Sequence, residues 1–299
     1  MPAGGAARGE VGQSGRMGTE AIAHGAWPDA PRPRWSWGLA PALVMSASAV
    51  LLFPLRWLVP GLALVALAIA LALLTDRAGR TRGLARDLTA MAAGLVIVST
   101  VSVEADISWG NMVLLGVVLA AAVAAPYVIS RFVFRDRAIR FPWRGGWPWT
   151  RVQWLYLALV LVLGWLILPF YFITSGVYRN WPAVTQWHEI GRLFVGVNAV
   201  GTWDELFFIC TVFVLFLRHF PTWQANLLQA IVFVSFLWEL GYQSWGPLLT
   251  FPFALLQGWI FGRTRTLPYV LTVHLLFDLV VFLVIVHARN PGVIPIFLR

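Results

Sequence analysis

The sequence has no lysine, a single cysteine and few charges of either sign. Only 12% of its 299 residues are charged, whereas a soluble domain carries about 25% to cover its surface. With 59% hydrophobic residues and a mean hydropathy of +0.75, the chain reads as an integral membrane protein. The lone cysteine, Cys210, lies inside an apolar run. It excludes an intrachain disulfide and leaves the redox compartment open. All 22 basic residues are arginine, and they give a net charge of +9. They lie between apolar runs and do not gather on one exposed face, so they read as topology signals and no nucleic-acid partner is expected.

Residues 1–36 are Gly, Ala and Pro with scattered charges, too poor in apolar side chains to bury a core, and read as a disordered cytoplasmic tail. A helix needs about 20 apolar residues to cross the hydrocarbon layer. On that ruler candidate spans fall at 38–54, 57–75, 88–104, 110–133, 152–174, 191–217, 223–240, 246–262 and 267–287. The predicted fold is all-α, a polytopic transmembrane bundle of eight or nine spans, the count depending on whether the first two are separate. Tryptophans such as Trp57, Trp109, Trp181 and Trp245 fall near span ends, as in an interfacial belt. The run "TDRAGRTRGLARD" carries four arginines and 131–151 carries six. Counted alternately, both lie on the side of the N-terminus, which is therefore predicted to be cytoplasmic.

The stretch "GTWDELFF" (201–208) places Asp204 and Glu205 side by side in an apolar run. An acid at the bilayer centre costs roughly 2.5–3.5 kcal/mol even on a lenient scale. The first five spans hold almost no ionisable residue at depth, whereas the last four hold Asp204, Glu205, Glu239, His274 and Asp278. The chain thus divides into the tail (1–36), a scaffold of N-terminal helices (37–151) and a core carrying the polar site (152–299). In "VLTVHLLFDLVV" His274 and Asp278 are four apart and share a helix face. Asp204 is rotated by about 100° from Glu205, so the two acids cannot aim equally well at one point. Two carboxylates so close in a low dielectric do not both carry full charge, and an acid pair beside a histidine is equipment for general acid/base chemistry. The alternative is a structural hydrogen-bonded network between helices.

The order of these motifs resembles the CPBP family (CAAX protease and bacteriocin-processing, also called Abi) over residues 190–285. The pattern is EExxxR, then FxxxH, then HxxxN or HxxxD on separate helices. Asp204 stands at the first Glu and Glu205 at the second, while Ile209 replaces the Arg. Leu237 stands at the FxxxH histidine, and His274 with Asp278 keeps the last motif intact. The chain is therefore a divergent member by resemblance. The likeness implies an intramembrane endopeptidase that activates water with a carboxylate and binds the oxyanion with the last His and its partner. Glu239 is the nearest substitute for the lost histidine. It lies about 200° around the helix from Leu237, so it reaches the site only if the helix ends or unwinds near "ELGYQSWG". The expected setting is a bacterial cell membrane, with a membrane-embedded peptide or protein substrate and no cofactor, although members of the family are often described as metalloproteases. A divalent metal such as zinc could also use these donors, although one histidine is short of the usual three-ligand zinc centre.

Three functions compete. The first is an endopeptidase using Asp204, Glu205, His274 and Asp278, with Glu239 assisting. The second is a catalytically impaired relative that binds or scaffolds membrane partners, favoured by Ile209 and Leu237. The third is a transporter or ion conduit, which predicts repeat symmetry between halves; the ionisable groups lie in one half only.

Overall fold

The computed structural model describes residues 36–146, 148–290 and 297. The expected N-terminal tail lies, apart from Ser36, outside the described residues. Each predicted span is a helix: α1 Leu39–Leu52, α2 Leu58–Arg77, α3 Leu84–Ser99, α4 Trp109–Val128 and α5 Arg151–Thr174. α6 runs over Trp187–Asp204, continues as a π-helix over Glu205–Phe213 and returns to α geometry at Val214–Leu217. α7 is Thr222–Leu240, α8 Pro247–Thr264 and α9 Leu267–Arg289. Among the described residues there is no strand.

Local chemistry sets the helix starts. Ser108 Oγ accepts from Asn111 N at the start of α4, and reciprocal bonds between Thr150 and Gln153 form a capping box on α5. Gln186 and Glu189 do the same for α6. This gives the acid of "WHEI" a capping role, since its carboxylate satisfies backbone N–H groups that no helical carbonyl can reach. α7 stops at Gly241, whose φ of 132° is open to glycine and strained for other residues. α3 begins earlier than hydropathy predicts, at Leu84. Its charged first turn is helical because the buried Asp87 binds Arg218 (2.8 Å) and His219 (2.7 Å).

Burial separates centre from periphery. Among the described residues five helices are long and apolar enough to cross a membrane. In their most apolar windows α6 is 78% and α9 61% buried, against 22%, 17% and 33% for α2, α4 and α5. With apolar side chains turned outward from α2, α4 and α5, the bilayer serves as their solvent. α6 is wrapped by α3, α4, α7, α8 and α9.

Side-chain bonds define the two ends of the bundle. At one end Arg218 joins Asp87 and Asp136 (2.6 Å), Tyr269 Oη donates to the Gln153 carbonyl (3.0 Å), and Leu267 N donates to the Pro142 carbonyl (3.1 Å). At the other end Arg56 reaches Val101 O (2.8 Å) and Glu239 (2.9 Å). There too Asn180 Nδ2 donates to Gly241 O (2.9 Å), Tyr171 Oη to Gln243 O (2.7 Å) and Arg289 to Trp181 O (2.7 Å). Loops alternate strictly between the two ends, as up-and-down helices require.

Candidate active site

Four ionisable residues of the last membrane helices meet in the interior. Asp204, Glu205, His274 and Asp278 are 1%, 0%, 2% and 5% exposed. His274 is the hub. Its Nδ1–H donates to Glu205 Oε1 at 2.7 Å, while Nε2 lies 3.7 Å from Asp204 Oδ2 and 3.8 Å from Asp278 Oδ1. The rotation between the adjacent acids now has a geometric outcome: they address opposite nitrogens of one imidazole. Helix geometry changes at this point, since α6 turns to π winding at Glu205. Such segments are rare and concentrate at functional sites.

Gln257 of α8 is the fifth member. Its Nε2 donates to Glu205 Oε1 at 2.6 Å and to the Val270 carbonyl at 3.3 Å. Glu205 thus has two donors and no arginine. Ile209, at the position where the resemblance calls for Arg, is fully buried. Aromatic rings fence the imidazole: Phe253 meets it edge-on at 5.1 Å, Phe233 lies at 6.0 Å, and Phe277 stacks on Phe253 at 4.5 Å. Rings in place of water lower the local dielectric and strengthen each polar contact inside.

The cluster opens onto a cavity of about 230 Å³. Asp204, His274 and Asp278 lie on its wall, whereas Glu205 and Gln257 stand behind it; Leu237 is also on the wall. Several buried acceptors of the cluster, Asp204 Oδ1, Glu205 Oε2, Gln257 Oε1 and Asp278 Oδ2, have no hydrogen-bond partner among the described residues. At 3.7–3.8 Å these pairs are beyond direct hydrogen-bond length, and a water on their cavity side is within reach of both partners. Acceptors left uncommitted on a cavity wall suit a water or a substrate N–H.

Glu239 is not brought to this cluster. Its carboxylate accepts from Arg56 at 2.9 Å and from Val103 N at 3.3 Å, and it does not line the cavity. α7 does end one residue beyond it, as "ELGYQSWG" suggests, but the acid turns toward the loops after α1 and α3. Among the described residues no group of three His, Cys, Asp or Glu side chains is placed to hold a metal ion. With Nδ1 committed to Glu205, His274 offers one nitrogen.

Sequence reasoning did not single out Gly201 or Gln257. A Cβ on Gly201 would collide with Asp278 Oδ2 and come within 3.3 Å of His274 Cδ2, so glycine lets α9 press both side chains against α6. Gln257 had a signal, a polar side chain inside the apolar run "ALLQGW". Gly201 had none beyond its place three residues before Asp204. The neighbouring glycine motif serves packing: a Cβ on Gly258 would strike Asn226 Oδ1.

No curated protein and no solved structure gives a significant match to the chain. A family model described as type II CAAX prenyl endopeptidase Rce1-like matches residues 186–280. That segment starts at the N-cap of α6 and ends two residues beyond Asp278, so it contains the whole cluster. In this segment, about a third of its length, the chain is similar to the Rce1-like family of CAAX proteases.

Proposed function

We propose that this protein is an intramembrane endopeptidase that cleaves a membrane-associated peptide with a carboxylate-activated water. One observation carries the reading. Asp204, Asp278 and Nε2 of His274 meet on the wall of a cavity, while Glu205 grips the far nitrogen at 2.7 Å. A water between Nε2 and Asp204 would give its proton to the Asp204 carboxylate as its oxygen attacks the scissile carbonyl carbon. The oxyanion so formed would accept a hydrogen bond from Nε2–H of His274, a charge-stabilising contact of the kind that contributes most in a dry site. Asp204 would then return the proton to the amide nitrogen as the C–N bond breaks. Glu205 and Gln257 do not reach the cavity, so they act as positioning residues that fix the imidazole. Asp278 holds Nε2 from the other side and balances its charge.

In this reading helices within 152–299 carry the chemistry and those within 37–151 serve as scaffold. The site is assigned to the chain's own side chains, and Glu239 is assigned to structure. The reading takes the setting to be a bacterial cell membrane. A second reading, a peptide-binding relative without catalysis, draws on Leu237, which puts an apolar side chain on the cavity wall at the family's histidine position. Purified full-length protein in nanodiscs, given internally quenched peptides with and without a farnesylated C-terminal CAAX sequence, separates the two. The first reading expects cleavage that disappears in Asp204→Asn and His274→Ala. Binding without cleavage, equal in all three, overturns it.

A further inference from the structure

The arginine distribution and the position of the cavity mouth together specify the side from which the site is loaded. The end of the bundle held by Arg218, Asp87 and Asp136 carries most of the arginines: four within 77–86, six within 131–151, then Arg218, Arg263 and Arg265. The opposite end has Arg56, Arg179, Arg192 and Arg289. Two of these are tied down, Arg56 by Glu239 and Arg289 by the Arg179 and Trp181 carbonyls. A bias of this size in short loops marks the arginine-rich end as cytoplasmic.

The cavity reaches the other end. From the tetrad it runs past Leu237 and Leu240 to Tyr242, Trp181 and the 103–107 loop, and no described residue of the arginine-rich loops lines it. On the cytoplasmic side of the tetrad α6 is sealed: Ile209, Cys210, Phe213 and Phe216 are all 0–1% exposed. Below them Arg218 bridges Asp87 and Asp136. The cavity also extends sideways between α4 and α6, where Gly116, Gly196 and Ala199 line it. A Cβ on Gly116 or Gly196 would meet nothing within 4 Å, and Ala199 is exposed. That seam faces lipid.

We infer that the site is loaded from the arginine-poor, non-cytoplasmic face, and that its substrate is an apolar peptide segment reaching it there through the seam between α4 and α6. The inference rests on the proposed peptidase reading for the word substrate, but its geometry is independent of catalysis. An apolar segment is the occupant that fits, because the wall beyond the tetrad is mainly Val, Leu, Ile, Met and Phe. Asp106 at the mouth is occupied in its own loop, accepting from Ser108 N at 2.8 Å and Ser108 Oγ at 3.0 Å.

The test replaces the only native cysteine (Cys210→Ala) and adds single cysteines to the full chain. Ala199→Cys and Leu237→Cys report the cavity, Ile107→Cys the mouth and Arg137→Cys the opposite end. A membrane-impermeant thiol reagent is applied to intact cells and to inside-out vesicles. The expected result is modification of the cavity and mouth cysteines at least tenfold faster in intact cells, with Arg137→Cys showing the reverse. Modification of the cavity cysteines from the vesicle side only overturns the inference, as does a cavity that stays unreactive from both sides while Ile107→Cys reacts. Labelling as expected in a protein that cleaves nothing preserves the route and removes the peptidase reading. Cleavage with the opposite labelling does the converse.

Discussion

Glu205 and Glu239 are buried acids on neighbouring helices, and they are held in opposite ways. Glu239 sits at the end of α7 with an arginine and a backbone N–H on one oxygen, tying the loops after α1 and α3 to that helix end. Glu205 sits in mid-membrane with no arginine and accepts from a histidine and a glutamine. The first arrangement fixes a charge where it is. The second leaves the far nitrogen of the imidazole, and two further carboxylates, at the wall of a cavity. Being ionisable and buried therefore does not distinguish a site from a staple; what shares the acid does.

Five substitutions test that contrast, from the largest expected effect to the smallest. Asp204→Asn or His274→Ala removes a proton carrier or the oxyanion donor. Peptide cleavage falls by about 10²–10⁴-fold, with membrane insertion and helical circular dichroism as in the parent. Gly201→Ala pushes Asp278 and His274 off α6. It lowers cleavage by at least about tenfold and thermal stability by about 1–3 kcal/mol, as overpacking does, both read on one detergent-purified sample. Gln257→Leu takes one of two donors from a buried carboxylate, an interaction in the range of about 1.5–3 kcal/mol. Cleavage drops about tenfold, and the His274 ring resonances shift in NMR spectra of imidazole-labelled protein. Glu239→Gln leaves cleavage within about threefold and lowers the melting free energy by about 1 kcal/mol, because its partner Arg56 is 43% exposed and solvent screens the pair. If Glu239→Gln matched Asp204→Asn in lost cleavage, the distinction between the two acids would collapse.

Much of the architecture was legible along the chain because lipid imposes its own ruler. Apolar runs of crossing length became helices, and the depth of Asp204, His274 and Asp278 marked the half that holds the cluster. The boundaries that slipped did so for electrostatic reasons: hydropathy discards the charged first turn of α3, yet Asp87 is satisfied by Arg218, a residue 131 positions away. The fate of Glu239 was hidden in the same way, since Arg56 lies 183 positions from it. Rotation along α6 foretold that Asp204 and Glu205 diverge, but not that one imidazole would lie between them. The π winding that begins at Glu205 and the tolerance of Gly201 for a pressing carboxylate are properties of packed helices, and no spacing in the sequence encodes them.

The most direct test of the central claim is a comparison of new peptide N-termini in membranes of cells producing the parent protein, Asp204→Asn or His274→Ala at matched levels. The account predicts a set of cleaved membrane peptides present with the parent and missing from both variants. The same set in all three, or no new N-termini with the parent, would contradict it.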